Sequence, residues 1–338
     1  MPELLKTLCD LPGISGREGM VADAVEAFAR KYTEDVYRDA LGNVIVRKKG
    51  AVTPQKPIMI AAHMDEVGFL VNYITENGLV KIINAGGVYG QTLAGRQLFL
   101  PRTGIKGVLG LAPTHIRKEK DEVPKLEDMY LDIGASSKEE AEQYVRLGDT
   151  VVFDTELRSF GENCIVGKAI DDRLGCTMML ELISSELPAD TFFAFTVQEE
   201  LGLRGAGTAA FAVRPGYAIV LDVGGGADNA GFKDADQIAV QGKGPIISFA
   251  DRETFYDYEL YQKVTEIADN NFIPWQTKTR LSGGTDAGKI QKTAAGARVI
   301  GISVSGRNIH TAASSVNMND ARNAQKLVKL VLEYLANV

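Results

Sequence analysis

Four short apolar runs in this sequence each lead into a residue able to bind a cation or move a proton. Pro57-Ile-Met-Ile-Ala-Ala62 is followed by His63-Met-Asp65-Glu66, Thr191 to Val197 by Gln198-Glu199-Glu200, and Tyr217 to Leu221 by Asp222. Ala297 to Val304 leads into Ser305-Gly-Arg-Asn-Ile-His310. A fifth segment, Ala169-Ile-Asp171-Asp172-Arg-Leu-Gly175, sets two acids just before a helical pattern. Imidazole nitrogens and carboxylate oxygens without cysteine suit zinc, cobalt or manganese and offer no soft-metal site. One carboxylate can bridge two such ions roughly 3.5–4 Å apart, a pair that acidifies water and polarises a carbonyl. A free acid is still needed to take a proton from the water, and the Glu199-Glu200 pair can place one acid on metal and leave its neighbour free. Each piece alone also has a plainer reading. A histidine after a strand commonly just hydrogen-bonds at the surface, paired glutamates are usually solvated, and Asp-Asp before a helix serves as an N-cap.

The elements that must position these residues follow from periodicity. The Pro57–Ala62 run is apolar throughout, as expected for a strand buried on both faces, and Asn43 to Arg47 forms another strand candidate. Ser15-Gly-Arg-Glu18 has the form of a capping box ahead of a helix to about Tyr32. Between Val67 and Glu162 the texture becomes β-rich, with short apolar runs (68–74, 79–83, 97–100, 107–111 and 150–153) broken by Gly, Pro and Asn. A helical patch spans Ser137 to Leu147, and the mixed-charge run Arg117 to Lys125 reads as a solvated loop. After Gly167 helices alternate with strands: helices near 173–186, 206–212, 253–271 and 318–336, and strands at 191–197, 217–221 and 297–304. This is an α/β domain interrupted by an inserted β domain. In open α/β sheets, sites form beyond the carboxyl ends of the strands, and there the candidate donors fall.

A length of 338 residues favours two domains, and 45% hydrophobic with 24% charged residues is ordinary for a soluble globular chain. The net charge of −7 argues against a nucleic-acid partner, because phosphate neutralisation needs clustered Lys and Arg. Cys9, Cys164 and Cys176 are odd in number and form no CxxC pair, which points to a reducing cytoplasm. The first residues carry acids and no apolar stretch of signal-peptide type, and no run approaches about 20 apolar residues, so neither secretion nor a membrane is expected.

Longer motifs sharpen the reading. His63-Met-Asp-Glu-Val-Gly68, Gly107-Val-Leu-Gly with Pro113-Thr-His115, Asp132-Ile-Gly-Ala-Ser-Ser-Lys-Glu139, Lys168-Ala-Ile-Asp-Asp-Arg173, Gln198-Glu-Glu-Leu-Gly-Leu-Arg-Gly205, Gly283-Gly-Thr-Asp-Ala287 and Ile309-His310 run along nearly the whole chain. In these it resembles the tetrahedral aminopeptidases, whose members are often labelled glutamyl aminopeptidase or cellulase M. The resemblance implies a zinc-peptidase-like fold, a central mixed sheet flanked by helices, with a catalytic domain of residues 1–66 and 163–338. Residues 67–162 would be an inserted β-barrel-like oligomerisation domain that builds a hollow homododecamer entered by peptides. It further implies two divalent ions (Zn, Co or Mn) per subunit, with His63 and Asp222 on one, Glu200 and His310 on the other, and Asp171 bridging. Glu199 is then the general base and Asp65 the acid that orients His63. Two departures, Gly224-Gly-Gly-Ala-Asp228 in place of a Thr-containing stretch and Asn308 in place of a Tyr, bear on residue preference rather than chemistry. His115 is expected to be structural, and Arg252 and Asp286 to shape the pocket or an oligomer contact.

The expected function is metal-dependent hydrolysis of N-terminal residues from peptides. A glycosidase needs two carboxylates about a sugar bond and usually an aromatic platform, whereas this chain has His donors and a single Trp275. A di-metal amidase, deacetylase or carboxypeptidase would share the ligand set. A non-enzymatic scaffold need retain no ligand at all.

Overall fold

The computed structural model describes residues 1–113, 115, 123–229, 231–233 and 236–338. Its larger sheet contains β1 (Val36–Arg38), β2 (Val44–Lys48), β3 (Ile58–His63), β10 (Arg158–Phe160), β11 (Cys164–Gly167), β12 (Thr191–Thr196), β13 (Tyr217–Gly225), β14 (Ile246–Ser248), β15 (Arg298–Arg307) and β16 (Ser314–Asn317). The order is β1-β2-β12-β3-β13-β15-β16-β11-β10, with β14 paired to β15. The middle four strands, β12, β3, β13 and β15, are mutually parallel, and antiparallel strands flank them. Helices α1 (Pro2–Asp10), α2 (Gly19–Ala29), α4 (Ile170–Ile183), α5 (Arg204–Val213), α6 (Tyr258–Asn270), α7 (Ala287–Ile290) and α8 (Met318–Leu335) cover both faces.

Strand periodicity divides the core. Ile58, Ile60 and Ala62 of β3 join the cluster that includes α1, α2, α4, α6 and α8, while Met59 and Ala61 join the one beneath α5 and α7. All six β3 residues are buried, which is why this strand reads as continuously apolar rather than alternating.

The second unit is a closed antiparallel barrel of β4 (Gly68–Ile74), β5 (Val80–Ala85), β6 (Gln97–Leu100), β7 (Ile105–Leu111), β8 (Met129–Asp132) and β9 (Thr150–Phe153), in the order β4-β5-β8-β7-β6-β9. Closure leaves no unpaired sheet edge. Its interior packs Leu98, Leu109, Leu131 and Val151 with Phe69 and Phe153, whose rings meet edge-on at 5.5 Å. The short helix α3 (Lys138–Glu142) lies within this unit, capped by the Ser137 hydroxyl, which accepts from the Glu140 amide at 3.3 Å.

The expected mixed sheet with an inserted barrel is therefore the observed architecture. Local differences have physical causes. The Ser15–Glu18 pattern does not close a capping box. Ser15 Oγ donates instead to Asp65 Oδ2 at 2.6 Å, and Glu18 Oε1 accepts from the amides of Gly16 (2.7 Å) and Gln198 (3.0 Å). Helix α1 and strand β8 were not anticipated. The barrel's own strands end at Phe153, and β10, inside the expected insert, is the outer strand of the large sheet. Of the charged run Arg117 to Lys125, residues 117–122 lie outside the described residues.

One close approach fixes the loop after β12. A Cβ on Gly205 would sit 2.5 Å from the Val197 carbonyl oxygen and closer still to Asn43 Oδ1. Buried Asn43 donates to Gly205 O (2.9 Å) and Thr208 Oγ1 (2.7 Å) and accepts from the Val197 amide (3.0 Å). Side-chain and backbone bonds thus hold both ends of the turn that carries Glu199 and Glu200.

Candidate metal centre

His63 is the last residue of β3, and the chain leaving β12 turns through Gln198, at φ 55°, to present Glu199 and Glu200. Asp222 lies within β13, which runs on to Gly225 because it stays paired with β15. Beyond β15, Asn308 and His310 both adopt left-handed backbone (φ 55° and 58°), a conformation that costs non-glycine residues about 1–3 kcal/mol and clusters at functional sites. At the start of α4, Asp171 and Asp172 are non-helical, and the peptide between them is cis. The helix proper begins at Arg173, with Asp172 Oδ1 accepting from the Gly175 amide at 3.0 Å in the manner of an N-cap. Asp171 is left to face the pocket.

Two triplets of donors result. Asp171, Glu200 and His310 offer atoms within 4.8 Å of one another, as do His63, Asp172 and Asp222. Asp171 joins them: its Oδ1 lies 3.2 Å from His63 Nε2 and its Oδ2 3.5 Å from His310 Nε2. His310 Nε2 is also 3.1 Å from Glu200 Oε1. Both imidazoles are oriented from behind by an acceptor-only carbonyl. Nδ1 of His63 donates to Asp65 O at 3.1 Å and Nδ1 of His310 to Gly87 O at 3.0 Å, which directs each Nε2 into the site, as metal-binding histidines require.

Asp65 does more than flank His63, whose Nδ1 is 3.5 Å from Oδ1. Fully buried, it accepts the Glu199 amide at Oδ1 (3.0 Å) and the Glu200 amide at Oδ2 (3.1 Å), alongside the Ser15 hydroxyl. One carboxylate therefore ties β3, the loop after β12 and the segment before α2 together. Behind it, Glu66 is held by Lys168 Nζ at 2.8 and 3.0 Å.

The electrostatics show what the cluster lacks. Burial, reinforced by neighbouring acids, pushes the carboxyls of Glu199 and Asp222 well above their ordinary range and raises Glu200. Burial moves Asp172 up to about 8 and Asp286 to about 6. Burial would lower the imidazoles, but hydrogen bonds to the Asp171 and Asp65 carboxylates raise His63 well above its usual value, and those to Asp171 and Glu200 bring His310 to about 11. Burial would likewise raise Asp171, yet the two histidines hold it below the usual carboxylate range. Acids outnumber bases, and Asp172 Oδ2 and Asp286 Oδ1 are buried without a hydrogen-bond partner. This donor set and its surplus negative charge fit divalent cations.

Other residues singled out in the sequence lie further out. Asp286 accepts from Thr196 Oγ1 at 2.5 Å beneath the site. Asp228 forms a two-point pair with Arg307, both contacts at 2.8 Å. His115 and Arg252 are exposed. Periodicity did not identify Ser15, the Gly87 carbonyl or Lys278, which lines the same cavity as His63, Asp171, Glu199, Glu200, Asp222 and His310.

The family described as M42 glutamyl aminopeptidase matches residues 42–327. A lysyl aminopeptidase of Pyrococcus furiosus is 33% identical, covering 98% of this chain and 97% of the relative. An aminopeptidase structure from the archaeon Desulfurococcus kamchatkensis superposes with a TM-score of 0.94 at 34% identity, covering 99% of this chain and 96% of that one. The Pyrococcus horikoshii TET1 peptidase, described as assembling into a tetrahedron or a large octahedral shell, superposes at 0.84 with 32% identity, covering 97% and 98%.

Two outcomes follow from the geometry. Asp65→Asn places an amide donor against partners that are themselves donors, so cobalt or zinc affinity falls about 10–100-fold, measured by chelator competition; unchanged affinity would dismiss the organising role of Asp65. Metal binding at pH 8 should release protons, because His310, raised to about 11 by Asp171 and Glu200, holds a proton there without metal and would shed it on ligating an ion. Affinity therefore climbs with pH through this range. Titration calorimetry in buffers of different ionisation enthalpy reads the release, and buffer-independent heats would contradict it.

Proposed function

The chain belongs to the M42 glutamyl aminopeptidase family, and on that premise we propose that the cavity around His63 and His310 is the hydrolytic centre of a metal-dependent aminopeptidase. The observation that carries this reading is the pairing of two donor triplets through Asp171, with the Glu199 carboxylate beside them and in no side-chain hydrogen bond among the described residues. His63 and Asp222 would hold one ion, Glu200 and His310 a second, and Asp171 would lie between them. When bound, two such ions supply polarisation of the scissile carbonyl and acidification of the attacking water. Zinc, cobalt and manganese all suit the donors.

The chain's own residues perform the proton work. Glu199 accepts a proton from the attacking water and passes it to the departing amine nitrogen. Its buried position among Asp222, Asp286 and Glu200 raises its basicity, which favours a base working near neutral pH. Asp65 positions both partners of this step, since its carboxylate holds the Glu199 amide and flanks the His63 ring. No aromatic side chain is among the described residues lining the cavity, so the platform a glycosidase needs is missing there.

The barrel unit is proposed to carry contacts between copies in a tetrahedral dodecamer, the P. horikoshii peptidase being described as able to assemble into a tetrahedron. Tyr73, Ile83, Tyr89 and Val108 of this unit are exposed, apolar surface that contact with other copies would cover. The three cysteines are unpaired, consistent with a reducing cytoplasm, and among the described residues no helix is long and apolar enough to cross a membrane.

Glu199→Gln should retain metal and fold while turnover drops at least about 10²-fold, the low end for general acid–base catalysis; near-normal turnover would remove Glu199 from its role. Acetylating the substrate N-terminus should abolish cleavage, and cleavage that survives would favour an amidase or carboxypeptidase. Light scattering should return the mass of twelve 36.5 kDa chains, and a monomer or dimer would defeat the proposed assembly.

A further inference from the structure

Arg173 is the largest fully buried side chain among the described residues. A guanidinium has five N–H donors and no acceptor, and this one makes four hydrogen bonds, all to backbone carbonyls. Nε donates to Met64 O at 2.6 Å, Nη1 to Leu8 O and to Leu11 O (3.2 Å), and Nη2 to Gly13 O at 3.3 Å. The carboxylate of Glu66 stands 3.6 Å from Nη2 and is shared with Lys168 Nζ at 2.8 Å. Lys168 and Glu66 are 5% and 2% exposed, so two cations and one anion are buried together. Apolar side chains of similar volume commonly stabilise a fold as well as such buried ions do, so packing alone gives no reason for an arginine here.

What the guanidinium grips is the backbone that carries the donors. Strand β3 pairs with β13 only as far as Ala61, so the carbonyls beyond that point need other donors. The first turns of α4 supply them: Cys176 Sγ donates to His63 O at 3.1 Å, and Arg173 Nε to Met64 O. From the other side the Met64 amide donates to Thr196 O at 2.7 Å. The end of β3 is thus held between β12 and α4, and the arginine that holds it follows Asp171 by two residues. Gly13 makes room for this contact, since a Cβ there would stand 2.8 Å from Arg173 Nη2. The same loop continues to Ser15, whose hydroxyl bonds Asp65.

We propose that Arg173 is a positioning residue of the metal centre, setting the spacing of His63 and Asp171 by tying their two segments to each other and to the stretch Leu8 to Gly13. This rests on the metal-centre reading above. Arg173 touches no substrate and no ion, and acts only through the backbone of the donors. A lysine cannot replace it, because one ammonium lacks the planar fork that aims donors at carbonyls on several sides. The competing explanation is that the guanidinium only stabilises the fold. In that case variants melt earlier, yet those that fold bind metal as the natural chain does.

The test is cobalt binding to the full chain after metal removal, for the natural sequence, Arg173→Lys, Gly13→Ala and, as a control, Val328→Ala in the buried face of α8. Chelator competition reads the affinity, and the visible absorption of the bound cobalt reads its coordination geometry. Arg173→Lys should lower the affinity at least about tenfold, the low end for residues that hold metal ligands in place, and should change the absorption spectrum. Gly13→Ala keeps the arginine but displaces Nη2, so both readouts should move the same way by a smaller factor. Val328→Ala should lower the melting temperature and leave both readouts unchanged. A natural affinity or a natural spectrum in folded Arg173→Lys, or the same changes in Val328→Ala, would overturn the assignment. Should Arg173→Lys not fold, Gly13→Ala decides by the same two readouts. A natural chain that binds no cobalt would instead remove the metal centre itself, and the assignment with it.

Discussion

Carboxylates packed together away from water lose hydration and repel one another, and here Asp171, Asp172, Glu199, Glu200, Asp222 and Asp286 surround only two imidazoles. Such a group must either take up protons or hold cations. The raised carboxyls of Glu199 and Asp222 and the raised imidazoles of His63 and His310 are the proton-bound answer. Divalent ions are the other answer, and they turn the same repulsion into ligation. The chemistry proposed for this chain depends on that exchange, because an acid left without a metal would be the one free to move protons.

Holding the donors against their repulsion is the task of the scaffold. Parallel strands with carboxyl ends at one edge bring His63, the Glu199-Glu200 turn, Asp222 and His310 together. Asp65 then cross-links β3 to the loop after β12 with two accepted hydrogen bonds and to Ser15 with a third, and Asn43 clamps the far end of that loop. The barrel also takes part, since the Gly87 carbonyl just after β5 sets the ring of His310. The inserted unit is thus structurally joined to the centre rather than merely appended, and a movement of that segment would reorient His310, one of the proposed metal ligands.

Much of this was readable before any coordinates. The buried parallel strands announced themselves as apolar runs, and the residue types that follow them suggested metal-assisted hydrolysis. What could not be read were interactions whose residues serve equally well elsewhere. Ser15 and Glu18 have the spacing of a capping box, but a serine hydroxyl satisfies a distant carboxylate as readily as a nearby amide, and here it bonds Asp65. Gly87 acts through its backbone carbonyl, which has no sequence signature. Lys278 follows no apolar strand run of the kind that flagged the other donors, and only the folded wall shows that it enters the cavity.

The sequence by itself therefore determined the kinds of donor, their placement at strand ends and the α/β character with a β-rich insert, because those follow from side-chain periods of two and 3.6 residues within a single segment. The tertiary structure decided that Asp171 reaches both imidazoles while Asp172 caps a helix, which carbonyl orients each histidine, and that Lys278 lines the cavity. Those outcomes depend on the strand order β12-β3-β13-β15, in which spatial neighbours are far apart along the chain, and no local period carries that information.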